Sequence, residues 1–250
     1  MKRIITLGLL LAAPLLAQAA APHVMQAAIP ANGINNLVIT AGVGEVHITP
    51  SSDDTVHVRV ILEQKSNEFL WFFHWQSHAS EQQILAAQIF QQRDGQRLEL
   101  SLSNMGKMDS NDVKQKWYVQ MPVDLALNLN MKVGEVSING VSGGVRTQLD
   151  VGELTMDVPH GSLNARVNVG QISVITATDR PGNISLSSNI GEAALFMSGK
   201  NLSHTTGHHQ GLGRSIDWNG SGSDSMRLSV NIGEVDLHVK AAARQSSGKP

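Results

Sequence analysis

The residues from Val145 to Val169 alternate between apolar and polar side chains, and the alternation skips a step at regularly placed glycines. Patterning with a period of two predicts β-strands that have one face in a core and the other face in water. The polar positions between them carry no large apolar residue, so we expect the two faces to be sharply divided. The predicted inward face has twelve positions, all apolar except Thr147 and His160: Val145, Thr147, Leu149, Val151, Leu154, Met156, Val158, His160, Leu163, Ala165, Val167 and Val169.

Five glycines stand nine residues apart, and this is the most regular feature of the chain: Gly134, Gly143, Gly152, Gly161 and Gly170. We interpret each glycine as part of a two-residue corner, because glycine adopts backbone conformations that other residues avoid. Two strands and two corners then form one coil of 18 residues, and stacked coils pair their strands in parallel. The phrase returns downstream with longer intervals of 21, 22 and 20 residues, at Gly191, Gly213 and Gly233.

This spacing predicts an all-β fold, a β-solenoid (β-helix) with about five successive coils of about 18 to 22 residues. An antiparallel β-sandwich also has short strands at similar intervals, but it has no reason to keep the interval constant. We therefore favour the solenoid over a sandwich or barrel. Its open ends would leave unpaired strands, which invite end-to-end self-association.

The N-terminal half carries the same signals in a less regular form. The segment Val43–Ile48 repeats the Val-Gly-Glu-Val phrase, and an alternating strand follows at Thr55–Leu62, so we expect these strands to begin the same solenoid. A capping-box pattern at Ser80–Gln83 predicts a short helix just after it, and an Asp94-Gly95 turn predicts a β-hairpin. The predicted organisation has four parts: a signal peptide (1–19), an N-terminal β-strand region with an aromatic loop insertion (20–118), regular solenoid coils (119–240) and a disordered tail (241–250).

The first nineteen residues match the three parts of a cleaved signal peptide. Lys2 and Arg3 precede the apolar stretch Ile4–Leu16, and the tripeptide Ala17–Ala19 supplies a small-x-small cleavage site. The apolar stretch is too short to span a bilayer core of about 30 Å. We therefore expect an exported mature chain, periplasmic or secreted, that has no transmembrane segment. The chain has no cysteine, so neither a lipid anchor on cysteine nor a disulfide is expected.

Charge and motifs narrow the class of function. Without Lys2 and Arg3 the mature chain has 17 basic and 21 acidic residues, a formal net charge of −4, which disfavours nucleic acid as a partner. The sequence contains no nucleophile elbow, no His-Glu-x-x-His and no phosphate-binding glycine loop. We predict no catalytic, cofactor-binding or metal-binding residues, and hence a protein that is not an enzyme.

The period of about 18 to 22 residues per coil places a row of carboxylates at one corner of the predicted solenoid. These side chains would stack along the solenoid axis, with Gln171 and Arg214 interrupting the row. A divalent cation such as Ca²⁺ would explain stacked carboxylates, but solvated glutamates screened by water and salt explain them more simply. The predicted corner carboxylate row consists of Glu135, Glu153, Glu192 and Glu234.

Five of the ten aromatic residues fall within seven positions, which makes this segment a candidate contact surface for a protein, glycan or membrane surface. The alternative is a cap that closes one end of the solenoid, and the sequence favours neither. His204, His208 and His209 could bind a transition metal, but their Gly- and Ser-containing surroundings favour exposed histidines. The aromatic residues of the candidate contact surface are Phe69, Trp71, Phe72, Phe73 and Trp75.

The order of elements resembles the putative-adhesin β-strand-repeat family of exported bacterial envelope proteins, a domain of unknown function with a β-helical solenoid fold. The resemblance lies in Val43–Ile48, in Tyr118–Val123, and in the Gly-x-apolar-x-apolar motifs after four glycines, Gly134, Gly152, Gly170 and Gly233. It implies a non-catalytic cell-envelope protein with a structural, adhesive or partner-binding role and an unknown protein or glycan partner. The alternative is a carbohydrate-binding or carbohydrate-active β-helix protein.

Overall fold

The computed structural model describes residues 22–64, 81–103, 113–203 and 207–241. The predicted signal peptide, the aromatic segment Phe69–Trp75 and His204 lie outside the described residues, as does nearly all of the predicted tail. Within the described ranges, the helix is far too short to cross a membrane.

The described chain is almost entirely β-strand, as the alternating pattern predicts. The elements in chain order are β1 (His23–Pro30), β2 (Asn36–Pro50), β3 (Thr55–Gln64), α1 (Glu81–Ala86), β4 (Gln88–Asp94), β5 (Arg97–Ser103), β6 (Val113–Met121), β7 (Ala126–Asn139), β8 (Val145–Val158), β9 (Leu163–Ala177), β10 (Ile184–Ile190), β11 (Ala193–Met197), β12 (Lys200–Asn201), β13 (Gly207–Gln210), β14 (Gly213–Trp218) and β15 (Met226–Lys240). These strands form one large mixed sheet, so the all-β prediction is confirmed.

The centre of the sheet is parallel and its two ends are antiparallel. The order along the main path is β1-β3-β6-β2-β7-β8-β9-β15-β10-β14-β13. All neighbours from β6 to β10 on this path run parallel. The antiparallel pairs β1/β3 and β3/β6 lie at one end, and β10/β14 and β14/β13 lie at the other.

The nine-residue spacing sets the register of the central strands. Val145 in β8 lies opposite Leu127 in β7 and Leu163 in β9, so each strand and the short connection after it use 18 residues. Residues at the same position of the repeat therefore stack into columns, and the inward columns are buried. Full burial of one such aliphatic side chain contributes about 1.5 to 3 kcal/mol. Buried residues from the whole length of the sheet join in one hydrophobic core.

The predicted local elements of the N-terminal half are present. The hairpin predicted at Asp94-Gly95 is formed by β4 and β5, with Asp94 opposite Arg97 and Gly95 at a φ of 57°. A short helix occupies Glu81–Ala86, slightly earlier than the segment predicted for it. The Val43–Ile48 phrase lies in β2, directly beside β7, with Gly44 opposite Gly134.

The prediction of successive coils in chain order is wrong at the C-terminal end. Strand β15, which contains Gly233, lies between β9 and β10, although it is the last strand of the chain. It pairs with β9 over its full length, whereas β10 and β11 form two shorter strands interrupted at Gly191. The Gly213 segment is not a coil of the series, because β14 runs antiparallel to β10.

Three residues of the predicted inward face are exposed: Val151, Val169 and His160. Leu149 and Leu154 are both buried, whereas the four residues between them are all exposed or partly exposed. The corner therefore takes four residues and not two, which moves Val151 outward. The other nine predicted inward positions are buried.

Candidate functional site

One glycine bends each long parallel strand, and this corner organises the outer surface. Gly134, Gly152 and Gly170 have φ angles of 138°, 142° and 141°, where side chains other than glycine are strained. They are neighbours in the sheet, and a Cβ added to Gly152 would overlap the carbonyl oxygen of Gly134. Glycine is thus required by the backbone and by the close approach of the next strand. We call the residues before this glycine the first arm of the strand and those after it the second arm.

The carboxylates predicted to share a corner lie on neighbouring strands, one residue after the glycine. Glu135 lies opposite Glu153, and Glu234 lies opposite Gln171, which separates it from Glu153. Glu192 comes directly before the strand that pairs with β15, and its carbonyl accepts from the Val235 amide at 3.0 Å. The glutamate row in space is Glu45, Glu135, Glu153, Gln171, Glu234 and Glu192, which adds Glu45 to the predicted set and reverses the order of its last two members.

Basic residues compensate the two ends of the glutamate row. Lys114 Nζ lies 2.6 Å from Glu45 Oε1, and Arg214 Nη1 lies 3.4 Å from Glu192 Oε2. The hydrogen bond from Lys114 holds the pKa of the Glu45 carboxyl below its ordinary value. Among the described residues, Glu135 and Glu153 have no ion-pair partner, and no group of three or more His, Asp or Glu is arranged to hold a metal ion.

An apolar row runs beside the glutamate row, on the other side of the glycines, and four of its five members are exposed. Its members pair directly with one another across β7, β8, β9, β15 and β10. Val151 is 42% exposed and Ile190 is 47% exposed, although both are large and apolar. Contiguous exposed apolar area is typical of contact surfaces. We call this set the ridge row: Val133, Val151, Val169, Ile232 and Ile190.

The outer face of the first arms is polar and carries arginines. Its first row runs across the sheet as Asn128, Arg146, Asn164, Arg227 and Ser185, each opposite the next. A second row two residues further along each strand is parallel to it: Asn130, Gln148, Arg166, Ser229 and Ser187. We call these two rows the arginine face.

Asparagines continue this face up to the ridge row. The side-chain amide of Asn189 donates to Asn231 Oδ1 at 2.8 Å, and the amide of Asn231 donates to Asn168 Oδ1 at 3.3 Å. This ladder spans three neighbouring strands and fixes the orientation of its amides. Amide groups of this kind can both donate and accept hydrogen bonds.

An open groove of about 760 Å³ lies over the first row of the arginine face. Its lining includes Asn128, Arg146, Asn164, Arg227 and Ser185, together with Asp217 from β14. Within the described part of the chain, no carboxylate lies within ion-pair distance of Arg146, Arg166 or Arg227. Three guanidinium groups on this face are therefore available for a ligand.

Aromatic residues outside the predicted segment form a second, smaller groove. The His47 and Tyr118 rings stack at 5.1 Å between centroids and 12° between planes, and they line a groove of about 480 Å³ with His57 and Arg59. The predicted aromatic contact residues are not placed by the structure, because they lie outside the described residues. Of the three histidines considered as metal ligands, His208 is exposed in β13.

No family model matches the sequence, and no curated protein is significantly similar to it. Three solved structures do match. One is described as a putative cell adhesion protein from Clostridium sporogenes, with a TM-score of 0.55, 13% identity, and coverage of 88% of this chain and 100% of that chain. A putative adhesin from Bacteroides fragilis has a TM-score of 0.39 and 12% identity, and covers 86% and 97% of the two chains.

A putative lipid binding protein from Parabacteroides distasonis aligns with a TM-score of 0.25 and 12% identity, over 88% of this chain and 97% of that chain. Of these three, the Clostridium protein alone has a TM-score above 0.5. At 13% identity, that similarity shows a shared fold and carries no site residue across.

Proposed function

We propose that this chain is an exported, non-catalytic protein of the bacterial cell envelope that binds a partner through the outer surface of a β-solenoid. The observation that carries the proposal is the ridge row, in which Val151, Val169 and Ile232 lie exposed and in register. A soluble protein gains nothing from a continuous exposed apolar row unless something covers it. The shared fold with a solved protein described as a putative cell adhesion protein supports a binding role.

The register of the central strands supports the solenoid part of the proposal. From β7 to β9 each strand and its connection take 18 residues, one glycine bends each strand, and a second glycine, Gly143 or Gly161, lies in the connection. A bend in the strand and a bend in the connection are the two corners that one coil requires. Insertions between β10 and β15 then correspond to longer loops on the same scaffold.

Site-specific crosslinking in cells tests the binding role. A photoreactive residue replaces Val151 in one strain and Thr155, which faces outward on the second arm, in a matched control strain. We expect processing after Ala19, recovery in the envelope fraction, and an adduct from position 151 that is absent at 155. A third strain that lacks 69–75 tests whether the aromatic segment contributes to the same adduct.

The proposal fails if the protein stays in the cytoplasm with its first nineteen residues attached. It also fails if the purified mature chain turns over an envelope glycan and loses that activity when one carboxylate is replaced. In both cases the ridge row would need another explanation, such as contact with a further copy of the chain.

One observation favours carbohydrate as the partner class. The polar lining of the groove over the arginine face consists mainly of amides, three serine hydroxyls and two guanidinium groups. Side chains of this kind match the hydroxyl groups of sugars, which donate and accept hydrogen bonds at closely spaced positions. A glycan-binding role is therefore the second candidate function.

A further inference from the structure

We propose that the arginine face binds an acidic polysaccharide, a polymer of sugars that carry carboxylate groups. The inference deepens the proposed binding function and rests on it. It adds the class of ligand and the surface that recognises it. This surface consists of the two rows that contain Arg146 and Arg166.

The arginines recur along the face with amides between them. Arg146 and Arg227 flank Asn164 on neighbouring strands, so their backbones are about 10 Å apart, twice the strand spacing. Arg166 lies on the same strand as Asn164, two residues further along. A linear polymer laid across the strands would therefore meet cationic and amide positions in turn, as a charged polymer with a repeating unit requires.

The chemistry of these side chains matches carboxylates and sugar hydroxyls. A guanidinium group forms two parallel hydrogen bonds to one carboxylate, and these charge-assisted bonds are stronger than neutral ones. Because none of the three arginines has an ion-pair partner in the described ranges, a ligand carboxylate would not have to displace one. The amide of Asn164 and the hydroxyls of Ser185 and Ser229 can form hydrogen bonds with the sugar hydroxyls.

The face is unsuited to the two other common polymers. Protein interfaces have a core of apolar and aromatic residues, whereas the two rows contain only Asn, Gln, Ser and Arg. Single-stranded nucleic acid binds on aromatic platforms within a strongly basic groove. These rows have no aromatic residue on which bases could stack.

An aspartate marks one end of the ligand track. Asp217 in β14 lies opposite Ser185 and lines the same groove. Its carboxylate would repel an anionic polymer at this end, so the ligand is expected to lie over β7, β8, β9, β15 and β10. Asp217→Asn removes this repulsion and should tighten binding about twofold to fivefold at low salt.

The experiment measures binding of the purified mature chain to alginate and polygalacturonate by isothermal titration calorimetry at low ionic strength. Dextran is the uncharged glycan probe, poly-L-glutamate supplies carboxylates without sugars, and single-stranded DNA supplies phosphates. A triple variant, Arg146→Gln, Arg166→Gln and Arg227→Gln, removes the cations of the face. The matched control, Arg59→Gln, Arg97→Gln and Lys200→Gln, makes the same change in net charge at exposed positions elsewhere.

We expect one or both acidic glycans to bind, and the triple variant to bind about a thousandfold more weakly, because each of the three lost charge-assisted bonds is worth about tenfold or more. The control triple should stay within about threefold of the wild type. Thermal midpoints measured in parallel establish that both variants fold.

Equal weakening by the two triple variants, equally tight binding of poly-L-glutamate or DNA, or no binding of either acidic glycan would overturn the inference. An adduct at position 151 without glycan binding would leave the proposed function standing.

Discussion

The outer faces of the two arms are built from the same strands, yet they carry opposite charge. On the first arms of β7, β8, β9, β15 and β10, Lys132 and the three arginines of the arginine face stand against one outward carboxylate, Asp150. On the second arms the balance reverses, and Lys240 is the single outward Lys or Arg. The second arms of β7, β8, β9 and β15, together with β11 and the residue before it, carry six outward carboxylates: Glu135, Glu153, Asp157, Glu234, Asp236 and Glu192.

This difference teaches that the repeat specifies the backbone and leaves the surface free. The inward columns and the corner glycines are nearly the same in every strand, because each must fit the strand above and below it. The outward side chains meet water, so their chemistry can diverge at little cost to the fold. Changes to the shared parts should therefore have large effects on stability, and changes to the faces should have small ones.

The largest effect is expected for Leu154→Asp, which tests an inward position shared by the columns. Leu154 is fully buried, and loss of such a side chain costs about 2 to 5 kcal/mol. The new carboxylate would also lack a partner in an apolar column, which adds further cost. We expect the variant to be unfolded, as measured by circular dichroism and by loss of cooperative urea unfolding.

Val151→Asp is the matched control for this prediction. The same charge is introduced three residues earlier, at a position 42% exposed, so the free energy of unfolding should change by less than about 1 kcal/mol. Equal damage from the two substitutions would contradict the division into inward columns and an exposed ridge row.

A smaller but still large effect is expected for Gly152→Ala, at the corner between the two arms. The φ of 142° costs a residue with a side chain about 1 to 3 kcal/mol, and the new methyl group would force β7 and β8 apart. We expect a loss of about 3 kcal/mol or more in urea unfolding.

Gly95→Ala separates strain from contact. This glycine also has a positive φ, 57°, but an added Cβ would have nothing within 4 Å. Its substitution should cost about 1 to 2 kcal/mol from the backbone alone. If both variants lost the same amount, the close approach of neighbouring glycines would not be what fixes the corner.

Much of the backbone could be predicted from the sequence, because alternation and glycine spacing are local signals. The spatial order of the last strands could not. Both Gly191 and Gly233 carry the same phrase, and the choice between them depends on which strand pairs fully with β9. The buried Ser188, whose hydroxyl donates to the Gly233 carbonyl at 2.8 Å, helps fix β10 outside β15, and nothing in the spacing indicates this.

The candidate site was harder to predict for the same reason. Arg146 and Arg166 lie at polar positions that the alternation assigns to the outer face, but Arg227 joins them only because β15 inserts beside β9. The alternation predicts an inward Val151 because it cannot distinguish a corner of two residues from one of four. The sequence therefore predicts which residues face outward more reliably than which of them meet.

A stabilising effect is expected for Thr147→Val in the inward columns. Thr147 is buried, and its hydroxyl has no hydrogen-bond partner in the described structure. Replacing the hydroxyl by a methyl group of similar shape removes this unsatisfied group and should add about 1 kcal/mol to the free energy of unfolding. Thr155→Val, at an exposed position of the same strand, should change it little. A loss of stability in Thr147→Val would mean that the hydroxyl is satisfied after all.

The smallest effect concerns the acidic second-arm face and depends on pH. Partial burial and the neighbouring Glu234 raise the pKa of the Asp236 carboxyl above its ordinary value of 3.8. A raised carboxyl pKa means that ionisation destabilises the folded state, and this cost is present above the folded pKa and absent below the unfolded one. Asp236→Asn should therefore be slightly more stable than the wild type at neutral pH, with the gain disappearing below about pH 3.8.

Urea unfolding at several pH values measures this gain, and Glu234→Gln provides the control. Removal of the Glu234 charge should bring the pKa of Asp236 closer to its ordinary value, so Asp236→Asn should add less stability in that background. A gain that persisted unchanged at acid pH would assign the effect to packing and not to charge. In that case the opposite charges of the two faces would have no measurable cost for the fold, and the acidic face would be as neutral to stability as the arginine face is expected to be.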